Sequence, residues 1–176
     1  MKIRSLCAAI LGSMMLADNA FALSCMRPDL VKTLEEAKAS EKLYYVLVGK
    51  FVPMSPPPKH QPYGGYTSPE DQFKSRPPVI TRSYFEGYSV AKHARRDGHL
   101  TRFPVDIETS CVASWCSSAP PADREVIAFV QARPGQAPIL EISPCPSLTF
   151  AATTPQVQKI RQCLDKSCEP EAVNWK

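Results

Sequence analysis

After residue 22 the sequence has no run approaching the roughly 20 apolar residues that a membrane-crossing helix needs, so no transmembrane segment is expected there. It also lacks a Ser-His-Asp order, a paired-carboxylate motif, a phosphate loop and a nucleotide fingerprint. Its cysteines include no Cys-x-x-Cys pair, the usual redox spacing, and they do not combine with histidines at zinc-binding intervals. The expectation is a chain that is not an enzyme, with no metal and no cofactor. Net charge is scarce as well. The formal value of +4 falls to +3 once Lys2, Arg4 and Asp18 are removed with an N-terminal leader. Without a concentrated patch, that excess argues against a nucleic-acid partner.

What is present begins with a leader. Met-Lys-Ile-Arg, an apolar run over 6–16 and small residues at Ala20 and Ala22 read as a signal peptide over 1–22, with cleavage after 24 as the other small-x-small site. Lipidation of Cys25 is a weaker option, because Ala22 stands where a larger apolar residue is expected. Residues 23–176 then form one expected domain, exported to the periplasm or the exterior.

Without Cys7, the mature chain keeps Cys25, Cys111, Cys116, Cys145, Cys163 and Cys168. An even number in an oxidising compartment points to structural disulfides, with 15 possible pairings. Local bridges Cys111–Cys116 and Cys163–Cys168 would leave Cys25 for Cys145, while a core-facing Cys111 would equally suit Cys25.

Along the chain, Pro28, Asp29 and the stripe Leu30, Leu34, Ala37 predict a short amphipathic helix with Pro28 at its first position. Residues 42–52 are apolar on both alternating faces, as in a strand covered on two sides, with Gly49 as a bend or bulge. Residues 53–78 hold eight prolines around Tyr63-Gly64-Gly65-Tyr66, a long loop that cannot supply ladder donors. A strand over 79–91, with Gly87 as a bulge, and the turn signal Asp97-Gly98 predict a hairpin. In the returning strand Phe103, Val105, Ile107, Thr109 and Cys111 alternate with Arg102, Pro104, Asp106, Glu108 and Ser110. This pattern turns Cys111 inward and leaves Asp106 and Glu108 as ordinary charged surface. Strands over 125–131 and 138–143 flank Arg133-Pro134-Gly135-Gln136, a second hairpin after which the sheet ends. Thr154 as cap, Pro155 and the stripe Val157, Ile160, Leu164 predict a C-terminal helix.

Five strands in meander-like order, with one helix before and one after, define a mainly β fold: a small five-stranded, OB-like barrel. A β-sandwich would want about seven strands.

Cys25 near the mature start, a helix ending in Glu-Glu-Ala-Lys-Ala-Ser, and Tyr44-Tyr45-Val46-Leu47-Val48-Gly49-Lys50-Phe51 together resemble the opening of netrin-like, tissue-inhibitor-of-metalloproteinases-type OB domains. That resemblance implies a protease inhibitor whose terminal amine and carbonyl, at Cys25, coordinate the protease zinc. Cys25-Met26-Arg27 departs from the family's Cys-x-Cys, and only cleavage after 24 would free the required amine. Cys-x-x-x-Trp-Cys at 111–116, the following apolar strand pair and Pro144-Cys145 also resemble uncharacterised exported proteins of alphaproteobacteria, to which no activity attaches.

The residues expected to bind a ligand are Trp115, Tyr63 and Tyr66 of the proline-rich loop, and Arg95 and Arg96 of the first hairpin. Lys92, Arg95, Arg96 and Arg102 beside Tyr84, Phe85 and Tyr88 combine charge and aromatic faces as ligand-reading OB surfaces do. The bland alternative puts the rings in the core and leaves the arginines solvated, with His93 and His99 beside them. Trp115 is either an exposed contact residue or a plug over the barrel end, and the disulfide flanking it favours the plug. The functional expectation is an exported, disulfide-bonded binding module for a protein or cell-envelope ligand. Inhibition through Cys25 and thiol-disulfide exchange are the alternatives.

Overall fold

The computed structural model describes residues 25, 27–56, 77–90, 101–112, 115–145 and 148–170. In order they form α1 (Leu30–Ala39), β1 (Tyr44–Pro53), β2 (Val79–Ser89), β3 (Thr101–Thr109), β4 (Cys111–Val112), β5 (Trp115–Cys116), β6 (Val126–Gln131), β7 (Ile139–Ile142), β8 (Thr149–Ala151) and α2 (Thr154–Leu164).

β1, β2 and β3 run antiparallel in sequence, β3 pairs in parallel with β7, β7 meets β6, and β6 returns antiparallel to β1. The five strands close on themselves, which gives the expected OB-like barrel. Its order is not a meander, because β7 lies beside β3 and β6 lies between β7 and β1. A further strand, β8, pairs with the start of β6, so the sheet continues past its expected end.

β1 belongs to both sides of the closure. Tyr44–Gly49 pair with β6 and Leu47–Pro53 with β2, so the strand must coil where the two ladders overlap. Gly49 sits at that overlap opposite Gly87, and the register runs through both without a bulge. The glycines are there for close approach: a Cβ on Gly49 would stand 2.7 Å from the Gly87 Cα, and one on Gly87 2.7 Å from the Phe85 ring. Any side chain would force the strands apart.

Two cores follow from the alternation of β1 and β6. Leu47, Phe51, Ala128 and Val130 point into the barrel with Phe85, Val105, Ile107 and Leu140. Val46, Val48, Ile127 and Phe129 point outward beneath Leu30, Val31 and Leu34 of α1 and Ile160 and Cys163 of α2. The apolar character of both faces of 42–52 is thereby explained. Among the described residues no helix covers the outer faces of β2 and β3, and Arg82, Pro104 and Arg102 there are exposed.

Helix ends differ slightly from expectation. Asp29, not Pro28, starts α1: its carboxylate accepts from Val31 N at 2.8 Å and Lys32 N at 3.0 Å, satisfying otherwise orphaned donors. In α2 the cap is Thr153, whose hydroxyl donates to Gln156 Oε1 at 3.0 Å rather than capping the backbone. Lys38 of α1 donates to Cys163 O at 2.5 Å and Lys166 O at 3.0 Å, placing a cation on the carbonyls that end α2.

Candidate functional site

All three described disulfides are Cys25–Cys145, Cys111–Cys116 and Cys163–Cys168. They consume every cysteine of the described residues, so exchange chemistry would have to start at a bridge, not at a free thiolate. Cys25 Sγ is bonded to Cys145, and lipidation would need the same atom.

The period-two pattern of β3 stops at Ser110. There Ser117, buried, accepts from Ser110 N at 3.0 Å and donates through its hydroxyl to Ile142 O at 2.6 Å, pinning the base of a new hairpin to the end of β7. Beyond the pin, Cys111 pairs with Cys116 and Val112 with Trp115. Directly opposed residues share a face and neighbours alternate, so the bridge occupies one face and Val112 and Trp115 the other. Cys111 is therefore half-exposed in β4, not turned into the core, because the chain leaves the barrel one residue earlier. Trp115 is 53 % exposed and Val112 51 % exposed. The tryptophan is held outward, and does not plug the barrel.

β1 ends, β2 begins, β3 ends, β6 begins and β7 ends on one end of the barrel, as their pairings require. That end carries the hairpin and, three residues past β7, Cys145 with exposed Cys25. Of the six exposed large hydrophobics among the described residues, Met54, Ile80, Val112 and Trp115 lie there, while Leu43 and Tyr45 lie at the other end. Tyr63 and Tyr66 lie outside the described residues, but the strands on either side of them, β1 and β2, meet at the Trp115 end. Arg95, Arg96, Lys92, His93 and His99 also lie outside the described residues; the chain on either side, at Val90 and Thr101, stands at the opposite end.

The second concentration of functional side chains is on the bare outer face of β2 and β3. Phe85 is fully buried, so it offers nothing to a ligand, whereas the Arg102 guanidinium lies 4.3 Å from the centre of the Tyr84 ring and 3.1 Å from Glu86. Tyr88 faces the helices, with Arg161 over its ring. Asp106 corrects the expectation of ordinary charged surface. It is only 7 % exposed, bonded to Arg82 Nε at 2.8 Å and to an Arg133 terminal nitrogen at 2.5 Å. Arg133 also donates twice to Ala137 O, at 2.8 and 2.6 Å, so one carboxylate fastens the β6–β7 turn to the barrel. The hydrogen bond from Arg82 is the chief cause holding the Asp106 carboxyl below its usual range. Burial opposes it, and Arg133 adds to it. Two guanidiniums on one carboxylate favour its ionised form. The sequence hint was Arg133 beside Pro134-Gly135, a cation at the base of a tight turn; Gly135 has φ 72°.

A cleft of about 450 Å³ opens at the Trp115 end between β7 and β8, bounded by Pro120, Pro121, Pro144 and Phe150. No group of three or more His, Cys, Asp or Glu among the described residues is placed to hold a metal ion, and none of their helices is long and apolar enough to cross a membrane. No family model, curated protein or solved structure matches the chain.

Proposed function

We propose that the chain is an exported, disulfide-bonded binding module that engages a protein of the cell envelope through the barrel end bearing Val112 and Trp115. The carrying observation is the locked hairpin: a two-residue ladder closed by Cys111–Cys116 spends its covalent constraint on presenting a half-exposed tryptophan and its apolar neighbour. Tryptophan is among the residues most enriched at the energetic centres of protein contacts. The local charge favours protein over an anionic lipid surface. Glu108 faces Ile80 across β2 and β3, and Asp123 and Glu125 flank Arg124, so the basic collar of lipid-binding surfaces is missing among the described residues.

A photo-crosslinking residue at position 112 should form adducts with a second protein in the exporting cell, and the same residue at position 43, at the opposite end, should not. Trp115→Ala should reduce the position-112 adducts about tenfold or more. Equal adducts with and without Trp115 would remove the basis of the proposal.

Protease inhibition remains a second reading, supported by exposed Cys25 being anchored to Cys145 at this same end. It requires that sequencing of the exported protein begin at Cys25 with a free amine. A first residue of Leu23 excludes zinc chelation by that route.

A further inference from the structure

We propose that the cleft between β7 and β8 receives an extended, uncharged peptide segment of a partner protein as an added strand. This deepens the binding-module reading and rests on it. β7 leaves β6 after the single pair Gln131↔Ile139, while β8 pairs with the other end of β6 at Val126–Ala128. Both are antiparallel to β6, so they run in the same direction. Among the described residues they form no ladder with each other. β8 has one side on β6, and the cleft borders Thr149, Phe150 and Ala151.

Backbone alternation tells which groups face the opening. Asp106 N donates to Pro138 O and Ser110 N to Ile142 O, so the even residues of β7 serve β3, and Ile142, the β7 residue at the cleft, offers it a side chain and no free carbonyl. Phe129 N donates to Leu148 O and Ala152 N to Glu125 O, so Thr149 and Ala151 turn their peptide groups away from β6, and of these the Ala151 carbonyl already accepts from Thr153 N at 2.9 Å. The free edge of β8 thus points the Thr149 amide and carbonyl and the Ala151 amide toward the cleft, the kind of edge that strand addition uses. The cleft's volume lies within the roughly 300–1,000 Å³ of binding clefts. Its prolines supply no donors, so the polar demand of an occupant falls on the β8 edge. Ile142 and Phe150 supply apolar walls, and Arg124 and Glu125 offset each other at the lining. These features select an extended backbone with small or apolar side chains over a charged small molecule.

The test uses short soluble peptides of alternating valine and threonine, in both phases, titrated onto the intact disulfide-bonded protein. Binding is expected below about 1 mM. Backbone N-methylation in one phase should weaken it about tenfold or more and in the other phase leave it within about twofold. Thr149→Pro removes an amide that points into the cleft and no β6 ladder bond, and should weaken binding about tenfold or more. Should that variant unfold, the methylated peptides, which leave the protein unchanged, decide. No binding, phase-independent methylation effects, or wild-type affinity in a folded Thr149→Pro variant would each overturn the proposal. So would a dimer of the chain that Thr149→Pro dissolves, which would assign the edge to a second copy. Loss of position-112 crosslinks in Trp115→Ala with no peptide binding would sink the cleft alone. Phase-dependent peptide binding with no crosslinks would sink the Trp115 contact alone.

Discussion

Across the wall of β1 and β6, both faces of each strand are buried, with Leu47, Phe51, Ala128 and Val130 inside the barrel and Val46, Val48, Ile127 and Phe129 under the two helices. Across the wall of β2 and β3, the buried set is mainly the inner one of Phe85, Val105 and Ile107, and outside stand Arg82, Tyr84, Glu86, Arg102 and Pro104, with Asp106 sunk among them. The covered wall is held by hydrophobic burial and is bordered by two bridges, Cys25–Cys145, whose first cysteine precedes α1, and Cys163–Cys168, which ties the last turn of α2 to the chain beyond it. The bare wall is held from outside by ion pairs, Arg82–Asp106–Arg133 and Arg102–Glu86. The difference shows how a strand's outer face decides its cover: apolar outer positions must be roofed by helices, whereas polar ones stay open to water.

The largest effect that would test this division is covalent. Replacing Cys25 and Cys145 by serine opens a loop spanning a sequence separation of 120. Chain entropy predicts a loss of about 5 kcal/mol, against about 2 kcal/mol for opening the short Cys163–Cys168 loop. Chemical denaturation without reductant measures both. Equal losses would mean that α1 is not held in place by the long bridge. Next in size, Phe129→Ala on the covered wall should cost about 3–5 kcal/mol, and Tyr84→Ala on the bare wall less than about 1 kcal/mol. Similar costs would erase the distinction between the walls.

Asp106→Asn comes third, at about 1–3 kcal/mol, because it weakens charge-assisted bonds to both arginines. Its pH dependence carries the sharper signature. The folded carboxyl is held below its unfolded value. Its contribution is therefore full above about pH 4 and disappears as pH falls through the folded value. The Asn variant should lose stability at neutral pH and less on acidification. Glu35, lowered chiefly by its hydrogen bond from Lys38, is a second acid-sensitive contact that the variant leaves in place. A stability-versus-pH curve parallel to wild type would show that the bare wall does not depend on this carboxylate.

The covered wall was the more legible in the sequence. The doubly apolar run over 42–52 and the stripes of Leu30 and Leu34 and of Val157 and Ile160 are dense patterns whose cause, burial on both faces, acts locally. Val105 and Ile107 were equally readable from alternation. β8 was not, because Thr149-Phe150-Ala151 is too short to show a period, and the β3–β7 pairing joins residues whose separation no local pattern encodes. Asp106 was misread for the same reason: its burial comes from Arg133, which arrives on the β6–β7 turn. Two-residue strands likewise hid the hairpin face on which Trp115 stands.

Trp115→Ala should have the smallest effect on folding and a large one on binding. The ring is more than half exposed, on the hairpin face opposite the disulfide, so truncation opens no core cavity and should cost less than about 0.5 kcal/mol. A structural plug would behave otherwise, costing about 3–5 kcal/mol on truncation to alanine. The denaturation midpoint separates the two roles, and position-112 crosslinking on the same preparation asks whether the exposed ring is used. An unchanged midpoint with lost crosslinks identifies a contact residue. A large drop in midpoint would return Trp115 to the core and leave the barrel end without its anchor.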